Sequence, residues 1–499
     1  MYVKIIFLLL LTVIMSKGQS ADNLSDIYPQ NNKPLYKESI LTWKSTKIGS
    51  YHIYISENLE ELTHANIKSP SYRGVVKKPF YNTAALNLKK GVKYYWRIDT
   101  EINSQIMLGN VNSFINPISS SNYHTVRNGL RNSFLQFNTL KFGRVAFLGG
   151  SITYNGGWRD SVMKYLTKRF PKTTFEFINA GVPSMGSTPA AFRLEKDVLS
   201  KGKIDLLIEE AAVNDGTNGN NFSKVEQIRA MEGIVRHTKK TNPLVDIVFL
   251  YFVDPGKIDS YKKNVIPDVI LNHDFVANTY QIPSINLAKE VTDRINIGEF
   301  DWKNDFINLH PSPFGQGVYA RSIIDFLETT WGEGKLMNAK TMSPLLPAKI
   351  DSLCYESGYL VDIDHAELSE GWSINPAWKP KDDKGTREDY VNVPMLITET
   401  PEEILTFKFT GRAVGISTAS GSDAGIILSS VDNGPWKPTD LFTNWSKSTH
   451  LPWYFTLYPD LAKGNHVLKL KMSSNKNSKS DGNVARIRYF YVSGSKDSE

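Results

Sequence analysis

The sequence predicts an α/β domain, three layers deep with a parallel sheet between helices, flanked along the chain by two β-sandwiches. Three observations predict it. Residues 21–117 and 348–496 carry short runs in which apolar and polar residues alternate, as strands with one buried face do. Residues 118–335 carry short apolar runs separated by helical segments, the pattern of parallel strands buried on both faces. With 41% hydrophobic and 22% charged side chains over 499 residues, the chain can fill two or three cores, which excludes a disordered or collagen-like protein.

Residues 1–20 come first and read as a secretory signal peptide: Lys4, a run from Ile5 to Met15 that is apolar except for Thr12, then Ser16, Gly18 and Ser20. That run is too short to span a bilayer, and no later segment approaches about 18 consecutive apolar residues. The expected mature chain is periplasmic or secreted, with no integral membrane segment. No cysteine stands near the cleavage region to carry a lipid anchor. Loss of Lys4 and Lys17 lowers the formal net charge from +7 to +5. The basic excess is spread thinly, and residues 345–499 hold 17 basic against 20 acidic side chains, so no arm or stripe suits nucleic acid. Cys354 is the single cysteine, which rules out an intrachain disulfide, a Cys-rich zinc site and an iron–sulfur centre. No His/Asp/Glu spacing suggests a metal site, and no cofactor is expected.

Residues 21–117 form the first sandwich, with alternation in Tyr51, Ile53, Ile55 and in Tyr94, Trp96, Ile98 and a turn at Lys89-Lys90-Gly91. The stretch Leu88–Ile98 resembles the fibronectin type III pattern, which implies a spacer module. The α/β domain, 118–335, predicts strands at Val145–Leu148, Phe175–Ile178, Ile204–Ile208, Ile247–Phe252 and Ile285–Leu287. Ser223 with Glu226 predicts a capping box, and Ser312-Pro313 predicts an N-cap followed by proline at the first helical position. That last helix carries Tyr319, Ile323, Phe326 and Leu327 on one face. A linker, Gly332 to Pro347, leads to the second sandwich, 348–496, whose strands show in Leu405, Phe407, Phe409, in Leu468, Leu470, Met472 and in Ile487, Tyr489, Tyr491. Ser473–Gly482 is an expected exposed loop.

Chemistry is expected at the carboxyl ends of the parallel strands, where open α/β sheets bind ligands. Gly149-Gly150-Ser151 closes the first strand, with glycines that permit a tight turn and a close backbone approach. Taken alone, Ser151 is equally a nucleophile or the N-cap of the next helix. Asn179-Ala-Gly181-Val-Pro-Ser184-Met-Gly186 follows the second strand, Asn214-Asp215 the third, and Asp305-Phe-Ile-Asn308-Leu-His310 the last. Each has a bland reading: His310 before Pro311 caps a helix, Asn214 closes a turn, and the glycines serve backbone geometry. The four together are poorly explained that way. The remaining histidines, His124 and His237 among them, have no matching surroundings. The Gly-x-Ser-x-Gly elbow is absent. Glu209 and Glu210 are discounted as a glycosidase pair, because neighbours on a strand point to opposite faces.

These four blocks resemble, in order and over about 190 residues, those of the SGNH or GDSL-type hydrolase superfamily. The resemblance implies an ester-cleaving site with Ser151 as nucleophile and His310 as base. It implies an oxyanion hole from the Ser151 N–H, a backbone N–H of the second block and the Asn214 side-chain amide. Two departures stand out. The second block has Ser184 where the family has glycine, so both Ser184 and Gly186 are candidate donors. The family's acid lies three residues before the histidine, a position held here by Ile307. Asp305 is the chosen third member, with Asn308 or a main-chain carbonyl as alternatives, the last leaving a Ser–His dyad.

The C-terminal sandwich resembles jelly-roll modules appended to carbohydrate esterases of that superfamily. Its Trp372, Trp378, Trp436, Trp445 and Trp453 either fill the core or present faces that stack on sugar rings. The expected activity is that of a secreted serine esterase removing O-acetyl groups from a polysaccharide or oligosaccharide. A polysaccharide O-acyltransferase shares its acyl-serine intermediate, and a non-catalytic glycan-binding protein on a decayed core is the reading from another class.

Overall fold

The computed structural model describes residues 24–36, 39–46, 48–216, 222–332, 336 and 339–495, so the expected signal peptide lies outside the described residues. The chain divides into two compact units, 1–119 with 294–301, and 120–293 with 302–499.

In the first unit, a three-stranded antiparallel sheet (Leu24–Tyr28, Ile40–Ser45, Phe80–Asn82) accompanies a six-stranded one built on Ser50–Ser56, Lys93–Ile102 and Asn112–Ile115. Leu41, Trp43, Tyr51, Ile53, Ile55, Tyr94, Trp96 and Phe114 form one core. The alternating residues noted in the sequence are thus its inward set. Gly91 takes φ +75°, the left-handed turn that its position before the strand requires. Arg97 and Asp99 are buried as a pair at 2.8 Å, and the guanidinium also donates to the carbonyls of Leu62 and Ala65.

The second unit holds the α/β sheet. Its parallel strands are β1 (Phe142–Gly149), β2 (Thr174–Gly181), β3 (Leu206–Glu209), β4 (Asp246–Leu250) and β5 (Ser284–Ile285). Their spatial order is β5, β4, β3, β1, β2, with His124–Thr125 antiparallel outside β5. All of β3 and β4 is buried, which is why those segments read as continuous apolar runs. The connecting helices are α1 (Ser151–Tyr154), α2 (Trp158–Arg169), α3 (Ser187–Asp197), α4 (Lys224–Thr241), α5 (Asp268–Tyr280) and α6 (Pro313–Thr330). α2 packs on α6, α3 on α4 and α4 on α5. Both predicted caps are present: the Ser223–Glu226 box opens α4, and Ser312 Oγ accepts from the Gly315 N–H to open α6.

Strand order places the site. The chain moves from β1 to β2 on one side, then returns past β1 to β3 on the other. Right-handed crossovers therefore put α2 and α3 on opposite faces. The two connections diverge at the carboxyl end of β1, the topological switch point where a crevice opens. Ser151 is the second residue beyond that strand.

The C-terminal strands form a ten-stranded antiparallel arrangement around Leu405–Ser420, which bends through register shifts and so pairs with four partners. Phe407, Phe409, Leu468, Leu470, Ile487 and Phe490 fill its core. Of the five tryptophans, Trp372, Trp378 and Trp453 are buried, while Trp436 and Trp445 are 37% and 44% exposed. This part packs directly on α3, where the Phe192 ring sits 4.7 Å from that of Tyr355 and 4.4 Å from that of Tyr491.

Candidate active site

Ser151 is the first residue of α1, and Gly150 occupies the N-cap position, which frees the serine side chain from capping. A Cβ at Gly149 would stand 2.4 Å from Thr153 Oγ1, and one at Gly150 would stand 2.0 Å from Asn214 Nδ2. Neither contact is one a real side chain makes, so both glycines answer to close approach. Ser151 Oγ lies 2.7 Å from His310 Nε2.

His310 belongs to the loop between a π-helical turn, Trp302–Phe306, and α6. The Asn308 side chain shapes that loop, its Oδ1 accepting from the His310 main-chain N–H at 2.7 Å. Ser312 closes it, donating its N–H to the Phe306 carbonyl and its hydroxyl to the Asp305 carbonyl. Burial holds the His310 imidazole below its ordinary pKa, and the nearby Arg387 guanidinium lowers it further. A neutral ring whose Nε2 accepts from the Ser151 hydroxyl is the form a general base needs.

The geometry does not place Asp305 on the ring. Among the described residues His310 meets Ser151 through its side chain and Asn308 through its backbone, and no carboxylate or main-chain carbonyl takes up Nδ1. The physical reason is the local chain path. The Trp302–Phe306 turn, with the two rings stacked at 5.1 Å, precedes Ile307, which turns the chain at φ +80° with its side chain 53% exposed. Left-handed backbone is costly for a β-branched residue. The position three residues before His310, where an acid was expected, is therefore an outward-facing hydrophobic at a strained turn.

The second block packs tightly on α1. A Cβ at Gly181 would stand 2.4 Å from the Tyr154 nitrogen, and Asn179 Oδ1 accepts from the Gly181 N–H at 3.0 Å. Ser184 adopts φ +70°, the conformation a glycine would supply at that place. Asn214 Nδ2 donates to the Met185 carbonyl at 3.1 Å, which brings the third block against the second. Because a trans peptide points its C=O and N–H in opposite directions, the Gly186 N–H is directed away from Asn214.

Glu209 and Glu210 are each buried, 1% exposed. Burial pushes Glu209 well above the carboxylate range and Glu210 up to about 7. Glu210 Oε1 accepts from the Val213 N–H at 3.0 Å, supporting the turn that carries Asn214. Among the described residues no group of three or more His, Cys, Asp and Glu side chains is arranged to hold a metal ion, and no helix is long and apolar enough to cross a membrane.

Sequence reasoning missed the residues the C-terminal sandwich brings to the site. Glu388 Oε2 accepts from the Tyr154 hydroxyl at 3.1 Å across 234 residues of chain, and Arg387 beside it is the charge that His310 feels. No local signal marks them, since they lie in a loop whose partners are distant in sequence. Thr386 anchors that loop to the His450 carbonyl, and Tyr390 to the Ser417 hydroxyl. Beside the end of β2, a cavity of about 530 Å³ is lined by Tyr154, Asn179, Met185, Tyr390, Tyr454 and Tyr489, residues of both parts of this unit.

No family model and no curated protein matches the chain. Solved structures do. A two-domain esterase active on acetylated mannans matches with a TM-score of 0.60 at 19% identity, covering 76% of this chain and 99% of that one. The same type of esterase, co-crystallized with mannopentaose, matches with a TM-score of 0.55 at 19% identity, covering 72% of this chain and 92% of that one. At this identity the likeness is one of fold: the chain is built like a two-domain esterase.

Proposed function

We propose that the protein is a secreted serine esterase that removes O-acetyl groups from a polysaccharide or its oligosaccharides, on an SGNH-type core. The observation that carries the proposal is the 2.7 Å contact between Ser151 Oγ and His310 Nε2 at the switch point of the sheet. His310 takes the Ser151 proton as Oγ attacks the acetyl carbonyl. The tetrahedral oxyanion is met by the N–H groups of Ser151 and Ser184 and by the Asn214 amide. One donor in such a hole contributes about 3–4 kcal/mol of transition-state stabilisation. His310 then returns the proton to the departing sugar hydroxyl, leaving acetyl-Ser151, and water repeats the sequence to release acetate.

Ser151 and His310 act as a dyad in this reading, with Asp305 supporting the loop through its main chain. The pairing of Ser151 with His310 weighs against a decayed, purely glycan-binding core. The choice of an acetylated polysaccharide draws on the shared fold with an esterase active on acetylated mannans and on the tyrosine-lined cavity beside the site. Labelling with a fluorophosphonate tests the mechanism directly. Mass spectrometry is expected to find one adduct, on Ser151, abolished by His310→Ala; an adduct elsewhere, or none on folded protein, overturns the assignment.

A further inference from the structure

Directly behind the proposed oxyanion hole lies a buried pair that the mechanism above does not use. Asp215 follows Asn214 in the short helix Ala212–Gly216, and its side chain is fully buried. Its Oδ1 accepts from the Ser187 N–H at 2.8 Å. Its Oδ2 lies 2.9 Å from Nε2 of His273, a residue of α5 whose side chain is 1% exposed. A carboxylate only accepts, so Nε2 carries the proton of that hydrogen bond.

Consecutive side chains thus grip one turn at two points. Asn214 holds the Met185 carbonyl and Asp215 holds the Ser187 N–H, so the Ser184–Ser187 turn is fixed to the third block. The absence of a side chain at residue 186 is part of the fit, because a Cβ there would stand 2.1 Å from Asp215 Oδ1. Gly186 occupies the N-cap position of α3 but has no side chain to cap with, and Asp215 supplies the missing acceptor and a negative charge from a distant segment. His273 in turn fixes the carboxylate rotamer, with the Tyr251 ring edge-on at 6.3 Å. Glu209 and Glu210, buried nearby, both feel the Asp215 charge, and Lys257 pairs with Asp254.

We propose that Asp215 and His273 are positioning residues for ester cleavage, holding the Ser184 N–H and the Asn214 amide at the spacing a tetrahedral oxyanion requires. The inference rests on the esterase reading above. Neither residue touches substrate. Preorganised donors act only if they do not have to reorganise as charge develops, so loosening the clamp costs the transition state more than the bound ester.

The test compares Asp215→Ala, Asp215→Asn, His273→Ala and His273→Gln with wild type on an aryl acetate. Rates are counted per fluorophosphonate-reactive serine, and inhibition by phenylboronic acid, which forms a tetrahedral adduct on the serine, is measured alongside. Wild-type turnover that depends on Ser151 establishes the esterase reading; its absence defeats that reading and this inference together. With turnover in hand, both alanine variants are expected to lose ~30-fold in kcat, less than the 10²–10³ of deleting a donor outright, with KM within about threefold. The boronate inhibition constant is expected to rise in parallel. Asp215→Asn keeps an acceptor for Ser187 and His273→Gln keeps an N–H, so both are expected to recover most of the rate. A merely structural pair would lower the melting temperature without changing kcat per reactive serine. That result, an unchanged boronate constant, or conservative variants as slow as alanine would overturn the proposal. If Asp215→Ala does not fold, the two His273 variants decide it.

Discussion

At the scale of single residues, the properties of His310 follow from what surrounds it. Burial and the Arg387 charge both favour the neutral ring, so the group is able to accept the Ser151 proton at neutral pH and loses that ability as pH falls through its lowered pKa. Replacing Arg387 with glutamine removes a repelling cation, which makes protonation easier and raises that pKa. The acid limb of the kcat/KM profile is therefore expected to move to higher pH in Arg387→Gln and to stay in place in Arg387→Lys, as a pH series on an aryl acetate will read. Replacing the buried acid of a working triad costs about 10⁴ in kcat, whereas Asp305→Asn is expected to stay within about threefold of wild type, because its carboxylate is not on the ring. A loss of the larger size, measured by steady-state kinetics, would restore Asp305 to the site.

At the scale of elements, the site exists because backbone segments come closer than side chains allow. Gly150→Ala sets a Cβ against Asn214 Nδ2 and is expected to lower kcat/KM by ~10²-fold or more while the protein still folds, as circular dichroism would verify. The first four strands and both helix caps were legible in the sequence, since apolar runs and the Ser-x-x-Glu and Ser-Pro signals are local; the fifth, expected at Ile285–Leu287, ends at Ile285, and Leu287 already begins a helix. Ser151 and His310 were legible for the same reason: each stands at a strand end or before a helix start, and the sheet does the rest. The choice between Ser184 and Gly186 was not, because it depends on which way one peptide faces. Nor was the placement of Asp305, which depends on the turn at Ile307. The backbone there leads to a further expectation: Ile307→Gly relieves a left-handed conformation worth ~1–2 kcal/mol and surrenders ~0.5–1 kcal/mol to chain entropy. A small rise in melting temperature is the expected reading.

At the scale of the molecule, the C-terminal sandwich belongs to the same compact unit as the parallel α/β sheet. Its strands were legible from alternation, but its functional weight was not, because Arg387 and Glu388 reach the site through tertiary packing alone. The tryptophans illustrate the limit. Composition could not divide them, and three proved to be buried while Trp436 and Trp445 are open to solvent. Phe192 on α3 is the hinge of this packing, enclosed by Tyr355 and Tyr491. Phe192→Ala is expected to cost about 3–5 kcal/mol in denaturant unfolding. Whether Ser151 and His310 form an ester-cleaving dyad directed at acetylated glycans is decided by acetate release. Wild type, Ser151→Ala and His310→Ala would be compared on acetylated mannan, acetylated xylan and an aryl acetate. Release by the wild type from at least one polysaccharide, reduced ~10³-fold or more in both variants, is the predicted result. Release that survives Ser151→Ala, or a folded wild type that frees acetate from none of the three, would contradict it.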